Sequence, residues 1–463
     1  MTRRGAALVA WLLVACSPAM RARERPRLVD PQATAETQAL FTNLQRLARD
    51  HVLFGHQDDL AYGVQWSLEA GRSDVRDVSG SYPAVYGWDL GRLELESSAN
   101  LDNVEFDRMR AWIIEGYERG GVNTLSWHLD NPVSGGNAWD TTRAVTEVLP
   151  GGARHEQYRQ WLDRVARFFT SLRARDGQLV PVIFRPFHEM SGFWFWWGAR
   201  HAAPEEYRQL WRFTVEYLRD VKGARNVLWA YSTNSLRDFQ RDQYWTWYPG
   251  DEYVDVIGFD DYGTLQQDTT RGDAVATLAA DLRWLVEQAE ARGKIAAFTE
   301  TGYETIPDSK WWTRKLLAAI RADPVAQRIA WVLVWRNANR QLDRPDHYYA
   351  PYPGHPSAAD FVRFRRDPLI LFEDELPDLY RKNNDYNGER IRKRKRKRLR
   401  VRNGLRRAIP CLSPSTLAHA HPLAICDPFS APATPETVPP HETPATARHS
   451  TDPPVYTRAA AGY

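Results

Sequence analysis

From residue 17 to residue 410 the chain has no cysteine; its three are Cys16, Cys411 and Cys426. Over most of the 463 residues a disulfide framework and a thiolate metal site are therefore excluded, and the main domain must be stable on packing alone. Long apolar runs are equally scarce. The one candidate, residues 6–15, is too short for a permanent membrane helix and follows Arg3 and Arg4, the pattern of an export signal over residues 1–20. It ends Leu13-Val14-Ala15-Cys16-Ser17. That leaves two readings open, a lipoprotein signal with Cys16 lipidated at the membrane and an ordinary signal peptide; either implies a bacterial protein secreted or anchored at the cell envelope. Net charge is low too, +3, but it is unevenly spread: residues 381–463 hold 16 Lys and Arg against 6 Asp and Glu. The remainder is mildly acidic, which gives no reason to expect a nucleic-acid substrate.

Aromatics are plentiful by contrast. Nineteen tryptophans and 20 tyrosines exceed what a core alone needs, and large flat faces with a polar edge suit sugar rings as well as protein interiors. All the tryptophans precede residue 336. Residues 381–463 have none, carry a basic run at 390–400 and continue in Pro/Thr/Ala-rich sequence, so they read as a disordered tail. Residues 21–35, polar with Pro26 and Pro31, read as a linker.

Residues 36–380 alternate between short apolar runs and amphipathic helices. Strand-like runs occupy 52–55, 84–89, 122–128, 179–187, 227–232, 254–260, 295–300 and 329–335. Helical periodicity marks 105–119, 155–173, 204–221, 274–291 and 311–322; Tyr207, Leu210, Trp211, Val215 and Leu218 make one such face. Eight strand–helix units predict a (β/α)8 TIM barrel as a single catalytic domain, with a doubly wound sheet as the alternative. In a barrel the chemistry gathers at the C-terminal ends of the strands. Those ends hold His56-Gln57-Asp58, Asp89, His128, His188-Glu189, Asn234, Asp260-Asp261-Tyr262, Glu300 and Trp335-Arg336-Asn337.

Two carboxylates stand out. Strict alternation along the fourth strand puts Arg185, Phe187 and Glu189 on one face, with Glu189 last. The loop beyond it contains Phe193-Trp194-Phe195-Trp196-Trp197, more aromatics than a core explains, and a carboxyl group against such walls suits a general acid. Glu300 ends the seventh strand, across the barrel from the fourth, and Arg185 points into the same mouth, where it can keep Glu300 ionised. A metal site built from His56, His128, His188, Asp58 and Asp260 is the competing reading; no His-x-His pair supports it. Asp255 and Asp260 read as structural, and Asp58, Asp89 and Asp261 are left open.

The string Arg185-Pro186-Phe187-His188-Glu189-Met190-Ser191-Gly192-Phe193-Trp194-Phe195-Trp196-Trp197-Gly198 resembles the acid/base segment of glycoside hydrolase family 26. Phe54-Gly55-His56-Gln57, Ser126-Trp127-His128, Phe259-Asp260-Asp261-Tyr262 and Phe298-Thr299-Glu300-Thr301-Gly302 resemble that family in the expected order, over residues 36–380. The resemblance implies a retaining β-mannanase on a (β/α)8 barrel, with β-1,3-1,4-glucanase and β-1,3-xylanase as alternatives within the family. It implies Glu189 as acid/base and Glu300 as nucleophile. It makes Tyr262 the partner of the nucleophile, His188 a contact to the sugar or the nucleophile, and His128, Trp139, Trp194 and Trp335 substrate-binding residues. The implied partner is a β-mannan or related polysaccharide, with no cofactor, no metal, no nucleic acid and a monomeric enzyme. From another class, a non-catalytic carbohydrate-binding lipoprotein is the alternative.

Overall fold

The computed structural model describes residues 28–237, 241–266 and 273–382. The export signal with Cys16, residues 21–27 of the linker and all but the first two residues of the tail at 381–463 lie outside the described residues. Eight parallel strands run β1 (Val52–Gln57), β2 (Val85–Asp89), β3 (Val122–Trp127), β4 (Val182–Pro186), β5 (Val227–Thr233), β6 (Val256–Asp261), β7 (Ile295–Thr301) and β8 (Trp331–Val334). Each pairs with the next, and β1 returns to β8 with Leu53 opposite Trp331 and His56 opposite Val334, closing a (β/α)8 barrel. Each strand lies within three residues of its predicted span. Helices Phe106–Glu118, His155–Ser171, Pro204–Glu216, Ala274–Arg292 and Leu317–Arg321 fill the predicted crossovers.

Burial on both faces explains why the strands read as continuous apolar runs. Leu53, Val85, Val122, Ile183, Leu228, Val256, Ile295 and Leu333 fill the barrel interior. Phe54, Trp88, Leu125, Phe184, Trp229, Ile257, Phe298 and Val332 point outward into the helical layer. Space inside is tight: a Cβ on Gly55 would lie 3.1 Å from that of Val85 and 3.2 Å from that of Leu333. Ten tryptophans are fully buried, so packing takes about half of them.

Helix Ala35–Leu47 was not evident from the pattern. Thr34 caps it, accepting from the Thr37 amide at 3.2 Å, and Leu40, Phe41, Leu44 and Leu47 join Leu53, Val256 and Ile295 to close the N-terminal end of the barrel. The folded unit also starts before the boundary expected at 36. Val29 is buried and donates its amide to Asp255 Oδ1 at 2.9 Å, and Asp30 pairs with Arg225 at 2.9 Å. Two anchors in a Pro-flanked segment create no periodicity, so the sequence shows only polar composition there.

Candidate active site

Simple alternation accounts for neither carboxylate. Ile183 and Arg185 face inward and Phe184 outward, so Phe187 would be expected beside Arg185. Instead β4 ends at Pro186, and Phe187 and Glu189 both take left-handed backbone conformations, with φ of 50° and 52°. Phe187 packs outward against Trp197, Tyr207 and Trp211, which corrects the parity expected for it. The same turn brings Glu189 back to the barrel mouth. In β7, alternation from Ile295 and Ala297 would put Thr299 inside and Glu300 outside. The register against β6 slips there: Phe259 faces Phe298, whereas Asp260 faces Glu300, so one residue is bulged out and Glu300 turns inward beside Asp260.

Arg185 joins the two sides. Its Nη2 donates to Glu300 Oε2 at 2.6 Å, and its Nη1 donates to Asp260 Oδ2 at 2.5 Å and Ser232 Oγ at 3.2 Å. Tyr262 donates its hydroxyl to Glu300 Oε1 at 2.5 Å. Both oxygens of Glu300 are thus occupied by donors, which fixes the orientation of the carboxylate. Asp260, read from sequence as structural, belongs to this group. Burial pushes its carboxyl well above the usual range, the charge of Arg185 opposes this, and those of Glu300 and Glu189 add to it. Asp255 is structural as expected, accepting from the Val29 and Trp229 amides.

Glu189 is 5% exposed, and Trp194 Nε1 donates to its Oε2 at 2.8 Å. The aromatic loop divides in two. Phe195, Trp196 and Trp197 are buried, with Trp196 donating to Leu129 O and Trp197 to His188 O, whereas Trp194 is half-buried and Phe193 exposed. Three of the five aromatics are therefore core after all.

His128 and His188 meet with Nε2 atoms 3.2 Å apart. Phe195 and Trp197 flank the buried His188 ring, with centroids 5.4 Å and 6.3 Å away. On its other side His128 places Nδ1 2.7 Å from Asp89 Oδ2. Trp139 stacks on His128 at 5.2 Å with planes 13° apart, and Trp335 meets it edge-on at 6.5 Å. Trp139 is carried by a loop organised by Asn131, which accepts from the Val133 and Ser134 amides and donates to Asp140 O and Thr142 O. The predicted site residues thus form two groups at one mouth, Arg185–Glu300–Tyr262 and His128–His188–Trp139–Trp335, with Glu189 and Trp194 alongside.

The proposed metal ligands do not converge: His56 engages Asp59 at 2.7 Å, Asp58 accepts from Tyr62, and no metal-holding group of three appears among the described residues. Asp261 holds its own loop, accepting from Thr264 and Ser235. Sequence reasoning missed Asp102 and Asp343, which pair with Arg336 at 2.9 Å and 2.6 Å. Only an unpaired arginine at a strand end pointed to them.

The family model for glycosyl hydrolase family 26 matches residues 29–313. A protein of Bifidobacterium adolescentis named mannan endo-1,4-beta-mannosidase is 35% identical over 349 residues, 72% of this chain. The chain spans about a third (34%) of that protein's length. One of the same name from Bacillus subtilis is 30% identical over 301 residues, 60% of this chain and 74% of that protein. Among solved structures, a GH26 beta-mannanase from Bacteroides ovatus is 46% identical with a TM-score of 0.71, covering 76% of this chain and 99% of that one.

Proposed function

Because this chain belongs to glycosyl hydrolase family 26, we propose that it hydrolyses internal β-1,4-mannosidic bonds of mannan with retention of anomeric configuration. The observation that carries the mechanism is the unequal setting of the two carboxylates. Glu300 is clamped by Arg185 and Tyr262, which suits a nucleophile that must stay ionised while it attacks the anomeric carbon. Glu189 is buried against Trp194, whose Nε1 donates to its Oε2, a setting that suits a group that gives its proton to the leaving oxygen and later takes one from water. Tyr262 also bonds the nucleophile at the oxygen that Arg185 does not use, so the attacking lone pair keeps a defined direction. Trp139, Trp194 and Trp335 supply half-buried faces for sugar rings around this centre. The substrate assignment rests on the names of the relatives.

Product analysis tests the reading. Unbranched mannan should yield manno-oligosaccharides, and early in the reaction the newly formed reducing ends should be β. Release of α ends would exclude retention. Hydrolysis of mixed-linkage glucan or β-1,3-xylan in place of mannan would change the glycan, and absence of any released sugar would leave a carbohydrate-binding protein.

A further inference from the structure

Asp89, a strand-end residue whose role the sequence left open, is fully buried at the end of β2 with four donors around its carboxylate. Oδ1 accepts from the Gly91 amide at 2.7 Å and the His128 amide at 3.3 Å; Oδ2 accepts from Ser126 Oγ at 2.6 Å and lies 2.7 Å from His128 Nδ1. An ionised carboxylate only accepts, so Nδ1 of His128 carries a proton. The far nitrogen, Nε2, meets Nε2 of His188 at 3.2 Å. Two ring nitrogens at that distance share one proton; two protons there would collide, and none would leave two lone pairs opposed.

From this geometry we infer that Asp89 is a positioning residue of the hydrolytic site: it holds the proton shared by His128 and His188 on His128, making that ring an imidazolium at the barrel mouth and His188, with its own proton on the buried Nδ1, its neutral acceptor. The groups facing His128 agree. Asp89 from β2, Asp102 from the loop beyond it and Glu300 from β7 are acidic, and the third side is the neutral π face of Trp139 at 5.2 Å, a favourable seat for a cation. His188 instead faces two positive groups, Arg185 and His128. Burial alone would lower the pKa of His128; the charge and hydrogen bond of Asp89, with Glu300 and Asp102, more than reverse this. Burial, then Arg185 and His128, presses His188 well below the ordinary histidine value. The charge on His128 matters to the reaction because a cation near Glu300 favours the ionised nucleophile. That last link, and only that one, rests on the proposed activity.

The test is a titration of ¹⁵N-histidine-labelled enzyme from about pH 5 to about pH 9, comparing the full chain with Asp89→Asn, and a kcat/KM profile on mannan over the same range. In the native protein His128 should stay protonated above the ordinary histidine range while His188 stays neutral. Asn keeps the shape and removes the charge, so the His128 midpoint should fall by about 1–3 pH units, and the alkaline limb of the activity profile should move with it. A midpoint unmoved in Asp89→Asn, or a titration in which His188 is the charged ring, overturns the inference. Should Asp89→Asn not fold, Ser126→Ala decides. It strips one donor from Asp89 without touching its charge and should raise the midpoint; no movement overturns the inference. An enzyme inactive on mannan would remove the proposed substrate, whereas the titration needs no substrate and still settles where the proton resides.

Discussion

Asp260 and Glu300 are direct cross-strand neighbours on β6 and β7, and they are neighbours only because the bulge drops Thr299 from the register. Two buried carboxylates so placed repel unless a cation or a proton intervenes, and Arg185 supplies the cation. With Asp260 already inclined to hold a proton, Asp260→Asn imitates its protonated form and can still accept from Arg185 and contact Thr299. We expect Asp260→Asn to fold and to lose less than about tenfold in kcat/KM on mannan, and Asp260→Leu, which takes from Arg185 Nη1 its carboxylate acceptor, to lose about 100-fold or more. Equal losses in the two variants would show that Asp260 acts through its charge.

Glu189→Ala and Glu300→Ala should both cripple mannan hydrolysis but fail differently. Proton donation is worth about 10²–10⁴-fold, yet an aryl mannoside leaves without it. Glu189→Ala should therefore form the glycosyl-enzyme from an aryl substrate and stall, and azide should restore turnover with a β-mannosyl azide as product. Glu300→Ala should be slow on every substrate and give the α-azide. Exchange of the two azide configurations would exchange the two roles.

Glu94 predicts a stability change with pH. It is fully buried, accepting from Trp127 Nε1 at 2.9 Å and the Asp130 amide at 2.7 Å, and burial raises it from 4.5 to about 7. A carboxyl raised on folding contributes stability that is complete below the unfolded value near 4.5 and is lost as pH rises through about 7. Urea unfolding should show a decline of roughly 2–4 kcal/mol attributable to this residue across that window, reduced in Glu94→Gln. A variant whose decline matches wild type would remove Glu94 from the account.

At the C-terminal end of the domain, Leu379 and Tyr380 are buried, Tyr380 donates to Gly121 O at 2.6 Å, and Asn43 donates to Leu379 O and Arg381 O. A chain ending after Lys382 should keep both activity and melting temperature. Tyr380→Ala should cost about 3–5 kcal/mol while leaving kcat at room temperature unchanged, since Tyr380 packs at the closed end of the barrel with Leu44 and Leu53. Calorimetry and a mannan assay on the two proteins decide this.

The barrel was legible because all eight strands are buried on both faces, and the crossover helices repeat every three to four residues. Glu189, Glu300 and Arg185 were legible as strand-end polar groups, but the way they reach the mouth was not. Alternation alone places Glu300 among the helices and Phe187 among the charges; a bulge and two left-handed residues reverse both, and neither device has a marker in residue type, since no glycine stands at 187, 189 or 299. Asp89 was left open and Asp260 was read as structural because their partners, His128 and Arg185, are 39 and 75 residues away. Helix Ala35–Leu47 escaped because it precedes the repeating units.

The left-handed backbone at Glu189 also makes the protein's stability and its usefulness compete at a single codon. A non-glycine residue there carries about 1 kcal/mol of strain that glycine would relieve. Evolution under a demand for thermal endurance alone, with no sugar to digest, would be drawn to Glu189→Gly and, with Glu189 the proposed acid/base, would end with a hardier barrel that digests nothing. Any campaign to toughen this protein must therefore select for turnover in every round.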